Sequence, residues 1–511
     1  MAKPSERTLN LRNLAGRVTT RCTVWAAAVV LVLLGALGGG CRAPAPPLDP
    51  WAAYRPAMRP STQAQLDTLG PVPLYRIHAT LEGQGERLVG FQTVRFPNPS
   101  ADALPEIVFR LYPNLPQFAG RMDVQVVKVN GADVSFSQTT SDTVLEVQLD
   151  KPLPPGESTE VELVYALRIP SPEASYVLFG RSAGIVSLPY FYPLLALRDA
   201  QGWQRYLPPP YGDASSCATA LYQVAFTAPA DLQVVAPGVV VSQTVGADGL
   251  ATWEFVSGPV REFALVASPR FQWAEEAVGE VRVRSWFLPE DREGGLAALH
   301  YAAAALRVYE DWFGPYPFPH LAVVEAPLGV HGMEFPTLSL IGLDLYREHR
   351  DDLEYLVAHE IAHQWWYNQV GNDQVRFPWL DEGLAEYSAY LYFDQVYGHK
   401  KAEALRQERW VLPYRYLVAQ GEDAPVNQPV FHFARNYEAL VYGKAALFFH
   451  RLRQEMGDAR FREALHQYLA RHRYDLATPE RLMGVFNEVA GQDLTPLYNQ
   501  WIRGVGTSPE P

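Results

Sequence analysis

The sequence predicts a multidomain α+β fold in which an antiparallel β-rich domain is followed by a mostly helical domain. At 511 residues the chain is long enough for two or more domains, and its 48% hydrophobic and 12% aromatic content is ample for large cores. Short alternating apolar and polar runs, separated by turn residues, fill 71–271, and helical periodicity takes over near residue 290. We therefore place the β-rich domain at 71–271, the helical domain at 272–505 and a short tail at 506–511.

The first 41 residues have the pattern of an export signal. Basic residues precede an apolar run at 24–37, which leads into three glycines and Cys41. The basic residues are Lys3, Arg7, Arg12, Arg17 and Arg21. A cysteine directly after small residues resembles a bacterial lipoprotein cleavage site, so we expect a membrane-anchored lipoprotein with Cys41 as its lipidation site. An uncleaved single-span anchor and soluble secretion are the alternatives, and all three place the body of the protein outside the cytoplasm.

Residues 42–70 are rich in proline, which favours extended chain. The prolines are Pro44, Pro46, Pro47, Pro50, Pro56 and Pro60. We predict an unpacked tether that holds the rest of the protein away from a membrane surface.

The strongest β signals are short runs with period-two alternation, which predict antiparallel sheets. These runs are 106–111, 124–129, 144–149, 161–165, 222–226 and 232–236. Two further stretches, 189–193 and 206–211, are rich in aromatic residues and proline. They either line the edge of a cleft or pack between sheets, and packing is the favoured interpretation.

Helical signals begin with 297–313, which ends at Gly314-Pro315, a strong stop signal. A strand is predicted at 321–325. The other helices are predicted at 352–369, 380–397, 401–420, 440–456, 459–472, 478–490 and 493–503.

Charge and cysteine content exclude two classes of protein. The formal net charge of -13 argues against non-specific binding of nucleic acid. Of the three cysteines, Cys22 and Cys41 fall in the export signal and only Cys217 remains in the body. A fold held together by disulfides is therefore excluded, and Cys217 is expected to be a buried small residue.

The chain carries an H-E-x-x-H motif on a predicted helix. His359 and His363 are four residues apart, so their imidazoles project from one face, as a Zn²⁺ site needs. Glu382 follows after eighteen intervening residues and supplies a third ligand from a second helix, which leaves a position for water. Glu360 lies beside the first ligand, where it can take a proton from that water.

Two acidic neighbours of Glu382 are ambiguous. Glu386 lies one helical turn further on, where it either holds a histidine N–H or belongs to a solvated helix face. Asp381 is expected to be an N-cap rather than a ligand.

With these motifs in their order, the chain resembles the zinc aminopeptidase family of aminopeptidase N and leukotriene hydrolase, a gluzincin family. The resemblance covers about 75–505 and is densest at 309–317, 332–336, the zinc motif, 379–387 and 442–444. It implies a saddle-like β-domain leading into a thermolysin-like catalytic domain. The chain ends soon after Trp501, so we expect the large C-terminal helical domain of many relatives to be missing and the cleft to be more open.

The resemblance also implies roles for single residues. His359, His363 and Glu382 match the ligands of one Zn²⁺ per chain, Glu360 matches the general base, and Tyr442 matches a tyrosine that hydrogen-bonds the developing oxyanion. Substrate-binding residues are expected at the exopeptidase signature, which reads His331, Gly332, Met333, Glu334 and Phe335. Glu334 matches the glutamate that pairs with the α-ammonium of a peptide substrate, whereas His331 and Phe335 depart from the usual Gly and Asn.

The sequence therefore predicts a zinc metallopeptidase of aminopeptidase type that acts on peptides, does not bind nucleic acid, and is anchored to the outside of the cell membrane. The alternatives are a zinc endopeptidase of other specificity, favoured if Glu334 does not face the substrate, and a non-catalytic zinc-containing surface protein. The last alternative needs the metal ligands but has no use for Glu360.

Overall fold

The structure is a computed structural model that describes residues 49–171, 178–433 and 435–508. From Pro50 onward these residues belong to one unit of the chain. The export signal with Cys41 lies outside the described residues, as do 42–48 of the predicted tether and 509–511 of the tail. In the three described ranges, no helix combines the length and the apolar character needed to cross a membrane.

Alternating burial shapes the strands of the first half. In the first strand Tyr75, Ile77, Ala79 and Leu81 are buried while the residues between them are more exposed, so one face of the strand meets the core. The strands are β1 (Leu74–Glu82), β2 (Arg87–Pro97), β3 (Leu104–Arg110), β4 (Arg121–Val129), β5 (Ala132–Asp133), β6 (Phe136–Thr139), β7 (Val144–Leu153), β8 (Ser158–Arg168), β9 (Gly180–Ser182), β10 (Ile185–Leu188), β11 (Leu194–Leu195), β12 (Arg198–Asp199), β13 (Gly202–Trp203), β14 (Leu221–Pro229), β15 (Gln233–Val235), β16 (Val239–Val245), β17 (Leu250–Val256) and β18 (Leu265–Ser268).

Among the described residues, the largest sheet has eight strands in the order β16-β17-β14-β1-β2-β8-β4-β5. Its pairs are antiparallel, as predicted, except that β1 and β14 run parallel with Leu74 opposite Leu221. Parallel pairing needs a long connection, and residues 83–220 provide one. Two smaller sheets, β15-β18-β10-β9 and β11-β3-β7-β6, share the same hydrophobic core, and β12 pairs with β13.

The two aromatic, proline-rich stretches have different surroundings. In 189–193, Tyr192 is fully buried and its ring lies 5.7 Å from that of Tyr75, so this stretch packs between sheets as favoured. In 206–211, the Tyr211 hydroxyl donates to Phe433 O over 2.8 Å. The second stretch therefore lies against the helical half of the protein.

The second half begins with a mixed sheet. Its strands are β19 (Gln272–Val278), β20 (Val281–Phe287), β21 (His320–Ala326), β22 (Gly332–Phe335) and β23 (Leu338–Gly342), in the order β19-β20-β21-β23-β22. The β22–β23 pair is antiparallel and contacts the helix that carries the H-E-x-x-H motif. The sheet thus brings the exopeptidase signature next to the zinc motif.

Helices make up the rest of the second half. They are α1 (Arg292–Phe313), α2 (Leu343–Arg347), α3 (Arg350–Ala362), α4 (Trp379–Tyr397), α5 (His399–Arg406), α6 (Leu412–Ala419), α7 (Ala445–Met456), α8 (Asp458–His472), α9 (Pro479–Ala490) and α10 (Thr495–Tyr498). Segments with π-helical hydrogen bonding follow α5, precede α7 and follow α10, at Gln407–Val411, Glu438–Lys444 and Asn499–Arg503. A β-rich half followed by a mostly helical half is the predicted α+β architecture.

The predicted tether is wrong for residues 50–69, which pack against the body. Two 3₁₀ segments, Arg55–Ala57 and Pro60–Thr68, each begin with a proline within the first two positions. Arg59 anchors them, because its guanidinium pairs with Glu310 and donates to Tyr316 O over 2.9 Å. Proline fits the first turn of a helix as well as extended chain, which is why composition alone predicted the wrong state.

Candidate active site

The H-E-x-x-H motif lies at the C-terminal end of α3, which stops at Ala362 rather than at 369 as predicted. His363 is the C-cap and still has helical backbone angles. Beyond it the chain turns back on itself, because Val370 N donates to Trp365 O over 2.9 Å, and Tyr367 has a φ of 142°. This turn ends the helix one residue before the second histidine.

Three of the predicted metal ligands converge. His359 Nε2 lies 3.1 Å from His363 Nε2 and 3.2 Å from Glu382 Oε2, and His363 Nε2 lies 3.4 Å from the same oxygen. All three side chains are buried. Burial lowers the pKa of His359, but hydrogen bonds to Glu382 and Glu386 outweigh burial and raise it to about 9. The pocket therefore favours positive charge.

The outer nitrogen of each imidazole lies close to an acceptor oxygen. His363 Nδ1 lies 2.9 Å from Trp366 O, and because a carbonyl can only accept, Nδ1 carries the proton. His359 Nδ1 lies 3.2 Å from Glu386 Oε2, whose other oxygen accepts from Trp410 Nε1 over 2.6 Å. Of the two alternatives for Glu386, the structure therefore places it against the histidine rather than on a solvated face.

This donor set fits Zn²⁺. When both imidazoles are neutral and carry their proton on Nδ1, the two Nε2 lone pairs and a carboxylate oxygen face one another within 3.4 Å, which is unfavourable unless a cation lies between them. Tetrahedral zinc with ligand bonds near 2.0–2.1 Å has ligand–ligand distances of about 3.3 Å, close to those observed. His₂Glu is also a ligand set that catalytic zinc sites use.

Glu360 lies beside this cluster with a free carboxylate oxygen. Its Oε2 is buried and has no hydrogen-bond partner among the described residues. Burial raises the pKa of Glu360 to about 8, opposed by His359. The carboxyl also packs so closely against Gly332 that a Cβ at that position would overlap it. Neighbouring residues thus hold the Glu360 side chain in place, and its Oε2 is free to bond a substrate or water.

Tyr442 approaches the cluster from the π-helical segment Glu438–Lys444. Its hydroxyl donates to Glu382 Oε1 over 2.6 Å, and its ring stacks on that of His359 with centroids 5.8 Å apart. Burial and the charge of Glu382 raise the pKa of the Tyr442 hydroxyl well above its ordinary value, so it remains a proton donor.

Glu334 lies on β22 and is buried at the same site. One oxygen accepts from Gln374 Nε2 over 3.0 Å. Oxygen atoms of Glu334 and Asp381 and a nitrogen of His363 all lie within 4.8 Å of one another. Asp381 is not the predicted N-cap, because it lies inside α4 and accepts from Asn372 Nδ2 over 2.9 Å.

The other residues of the exopeptidase signature diverge in position. Gly332 contacts Glu360 and so lies at the site, but the Met333 side chain is buried in the hydrophobic core. Neighbouring residues of a strand point to opposite faces, so the Met333 side chain leaves β22 on the other face from Glu334, and its part in substrate binding stays a prediction. His331 is largely exposed and pairs with Asp344 at 3.1 Å, away from the metal ligands. Phe335 packs against the ring of Tyr190.

Sequence analysis missed two buried groups at the site, Asp213 and Tyr437. Oδ2 of Asp213 and the hydroxyl of Tyr437 have no hydrogen-bond partner among the described residues. Burial raises the pKa of Asp213 well above its ordinary value, and the nearby charges of Glu334 and Glu382 raise it further. The Gly212-Asp213 pair after a proline run was a turn signal at most, so its position beside Glu334 was not visible in the sequence.

Several known proteins are similar to this chain in sequence. Residues 297–501 match the family model of the Peptidase family M1 domain. The chain is similar to Aminopeptidase M1-C of Oryza sativa subsp. japonica, at 26% identity over 307 residues, covering 56% of this chain and 34% of that protein. It is also similar to Aminopeptidase M1 of Arabidopsis thaliana, at 25% identity, 58% of this chain and 35% of that protein. The chain thus spans about a third of the length of these relatives.

Solved structures show the same fold. A crystal structure of an M1 zinc metallopeptidase from Deinococcus radiodurans aligns with a TM-score of 0.65 at 24% identity, covering 86% of this chain and 95% of that one. Another structure of that enzyme contains a bound Tyr-Ser-Ala substrate. The predicted fold class and the predicted resemblance are confirmed, and the donor set and the family match agree on zinc as the cofactor.

Proposed function

We propose that this chain, whose residues 297–501 form a Peptidase family M1 domain, is a zinc-dependent aminopeptidase that removes N-terminal residues from peptides. One observation carries the proposal. The convergent His359, His363 and Glu382 lie beside a buried glutamate with a free oxygen, Glu360, and beside a buried carboxylate suited to an amine, Glu334.

His359, His363 and Glu382 would hold the zinc. When bound, zinc polarises the scissile carbonyl and makes water a stronger acid. Glu386 and the Trp366 carbonyl fix the tautomers that turn both Nε2 lone pairs inward.

Glu360 carries the proton in the proposed reaction. Its free Oε2 accepts a proton from the attacking water and then gives it to the nitrogen of the leaving peptide. A pKa raised by burial suits this role, because a proton held near neutral pH is both accepted and released readily.

Tyr442 stabilises the charge that builds on the carbonyl oxygen. Its hydroxyl stays protonated and can exchange its bond to Glu382 Oε1 for one to the developing oxyanion. Such a donor acts mainly in the transition state, so it serves turnover more than binding.

The N-terminal amine of the substrate would be recognised by Glu334 and Asp213. These carboxylates are buried close together, and the strongest electrostatic partners of Asp213 are three other carboxylates and His363. A substrate ammonium between them would satisfy the partnerless Oδ2 of Asp213 and offset the repulsion. A peptide with a blocked amine offers no such charge, which accounts for exopeptidase specificity.

The test is hydrolysis of aminoacyl-arylamides beside their N-acetylated forms by the purified full-length chain, with zinc quantified. We expect cleavage of free-amine substrates only, and Glu360→Gln should keep zinc while losing turnover by about 10²–10⁴-fold. Glu354→Gln is the matched control, because it makes the same change on the same helix. The Glu354 carboxylate accepts hydrogen bonds from Tyr392 and Tyr397, and the variant should keep turnover. Equal cleavage of acetylated substrates would instead indicate an endopeptidase, and zinc without turnover would indicate a non-catalytic protein.

We further propose that the protein is exported and held at the outer face of the cell membrane through Cys41. The basic residues, the apolar run at 24–37 and the cysteine after three glycines support this proposal. Cys41→Ser should move the protein from the membrane fraction to the soluble fraction of cells. Retention of the Cys41→Ser protein in membranes would favour the uncleaved anchor.

A further inference from the structure

The turn that follows the zinc helix contains a residue in an unfavourable backbone conformation. Tyr367 has a φ of 142°, which side-chain-bearing residues rarely adopt. Such a conformation persists only where the surrounding structure holds it, and it occurs preferentially at functional sites.

The φ of Tyr367 sets the direction of the preceding carbonyl. Rotation about its N–Cα bond turns the peptide plane that contains Trp366 O. That oxygen lies 2.9 Å from Nδ1 of His363 and fixes the protonated nitrogen of this predicted metal ligand. The conformation of Tyr367 is thus linked to a ligand four residues away.

Two consecutive residues of the β-rich half hold Tyr367 at both ends. The guanidinium of Arg261 donates from Nε to the Tyr367 carbonyl, and the Tyr367 hydroxyl donates to Oε1 of Glu262. Both Arg261 and Glu262 are buried, at 1% and 0% exposure. Arg261 and Glu262 therefore hold both the main chain and the side chain of Tyr367.

Arg261 also joins this turn to two other parts of the chain. Its Nη1 donates to Cys217 O over 3.1 Å and its Nη2 to Asp475 O over 2.7 Å. The guanidinium fills the space beside Gly371, where a Cβ would overlap it. Arginine fits this position because its planar fork reaches three carbonyls at once.

The second oxygen of Glu262 is occupied as well. Cys217 Sγ donates to Oε2 over 3.0 Å, so the carboxylate bonds a phenol and a thiol beside the Arg261 charge. Burying the charged Arg261 costs desolvation energy, which offsets most of what its hydrogen bonds contribute to stability. Its specific geometry therefore points to positioning rather than to stabilisation.

We propose that Arg261 and Glu262 are positioning residues for His363: they hold Tyr367 in the conformation that directs Trp366 O at His363 Nδ1. This inference rests on the proposed function in that it takes His363 as a zinc ligand. It assigns to the β-rich half a part in holding the metal, although none of the predicted ligands comes from that half.

The test measures zinc affinity of the full-length chain by competition with a chelator. Tyr367→Phe removes the hydroxyl that donates to Glu262, and Arg261→Met removes the three carbonyl contacts. We expect each to weaken zinc binding about 10-fold or more, as loss of groups that orient metal ligands does. At saturating zinc, the kcat of Tyr367→Phe should return to the wild-type value.

Tyr75→Phe is the matched control, because the buried Tyr75 hydroxyl accepts a hydrogen bond from Leu195 N inside the β-rich half. Zinc affinities of Tyr367→Phe and Tyr75→Phe within twofold of each other would overturn the proposal. If Arg261→Met does not fold, the zinc affinity of Tyr367→Phe decides the test. A wild-type chain that binds zinc without cleaving peptides would refute the proposed function while leaving this test intact.

Discussion

Glu382 joins the metal ligands to the predicted oxyanion donor, since its Oε1 accepts a 2.6 Å hydrogen bond from the Tyr442 hydroxyl and its Oε2 faces both histidines. The Glu382 carboxylate therefore fixes the position of the Tyr442 hydroxyl relative to the two histidines. Tyr442 lies on a π-helical segment, a feature frequent at functional sites, which precedes α7.

Tyr442→Phe should lower kcat by about 10²–10³-fold with little change in KM, because the lost hydroxyl acts chiefly on charge that develops in the transition state. Zinc content should remain that of the wild type, because Oε2 of Glu382 still faces the histidines. Steady-state kinetics with aminoacyl-arylamides and a zinc assay check both parts. An unchanged kcat would remove Tyr442 from the mechanism.

Gly332→Ala should abolish most turnover while leaving zinc affinity unchanged. The added Cβ would overlap the Glu360 carboxylate, so the glutamate has to move, whereas the ligands lie elsewhere. Gly484→Ala is the control, because that helical glycine has open space around the added methyl group. It should keep turnover and raise the free energy of unfolding by about 0.5–1 kcal/mol. Full activity in Gly332→Ala would contradict the role of Glu360.

Glu386→Gln should weaken zinc binding about 10–100-fold, because the carboxylate at His359 Nδ1 is replaced by an amide that is a poorer acceptor. The measurement is competition with a chelator at fixed pH. Glu403→Gln, which removes a surface carboxylate paired with Arg406, should bind zinc as the wild type does. Equal affinities in the two variants would show that Glu386 does not support the ligand.

Local spacing was enough to predict part of the site. His359 and His363 share a helix face by their separation alone, and Glu360 follows from its place between them. Tyr442 and Glu334 needed the family resemblance, because a single tyrosine or glutamate carries no local signal. Asp213 was marked neither by local spacing nor by the family resemblance. It reaches the site from a loop 121 residues before Glu334 in the chain.

The same limit explains the errors in the fold. The prolines of 50–69 fit a tether locally, but Arg59 finds its partner Glu310 251 residues away, and that contact is what orders the segment. Likewise α3 was predicted to run to 369, because Trp365 continues the apolar side of the helix past the second histidine. In the turn after its end, Tyr367 is held by Arg261 and Glu262, which lie more than 100 residues earlier in the chain.

The stability of the protein should depend on pH through Glu262. Burial raises the pKa of Glu262 to about 7, opposed by hydrogen bonds from Tyr367 and Cys217 and by the charge of Arg261, and supported by the charge of Glu334. In the unfolded chain its pKa returns to about 4.3. Between these values the folded state binds more protons than the unfolded state, so the Glu262 contribution to stability is present below pH 4.3 and is lost as pH rises through 7.

Glu262→Gln removes this titration while keeping an oxygen that can accept from the Tyr367 hydroxyl. The free energy of unfolding of the variant, measured in urea on zinc-free protein, should therefore fall less steeply than that of the wild type between pH 5 and about 7. Zinc is left out because metal binding has its own pH dependence. Parallel pH profiles for the two proteins would show that Glu262 is ionised in the folded state throughout this range.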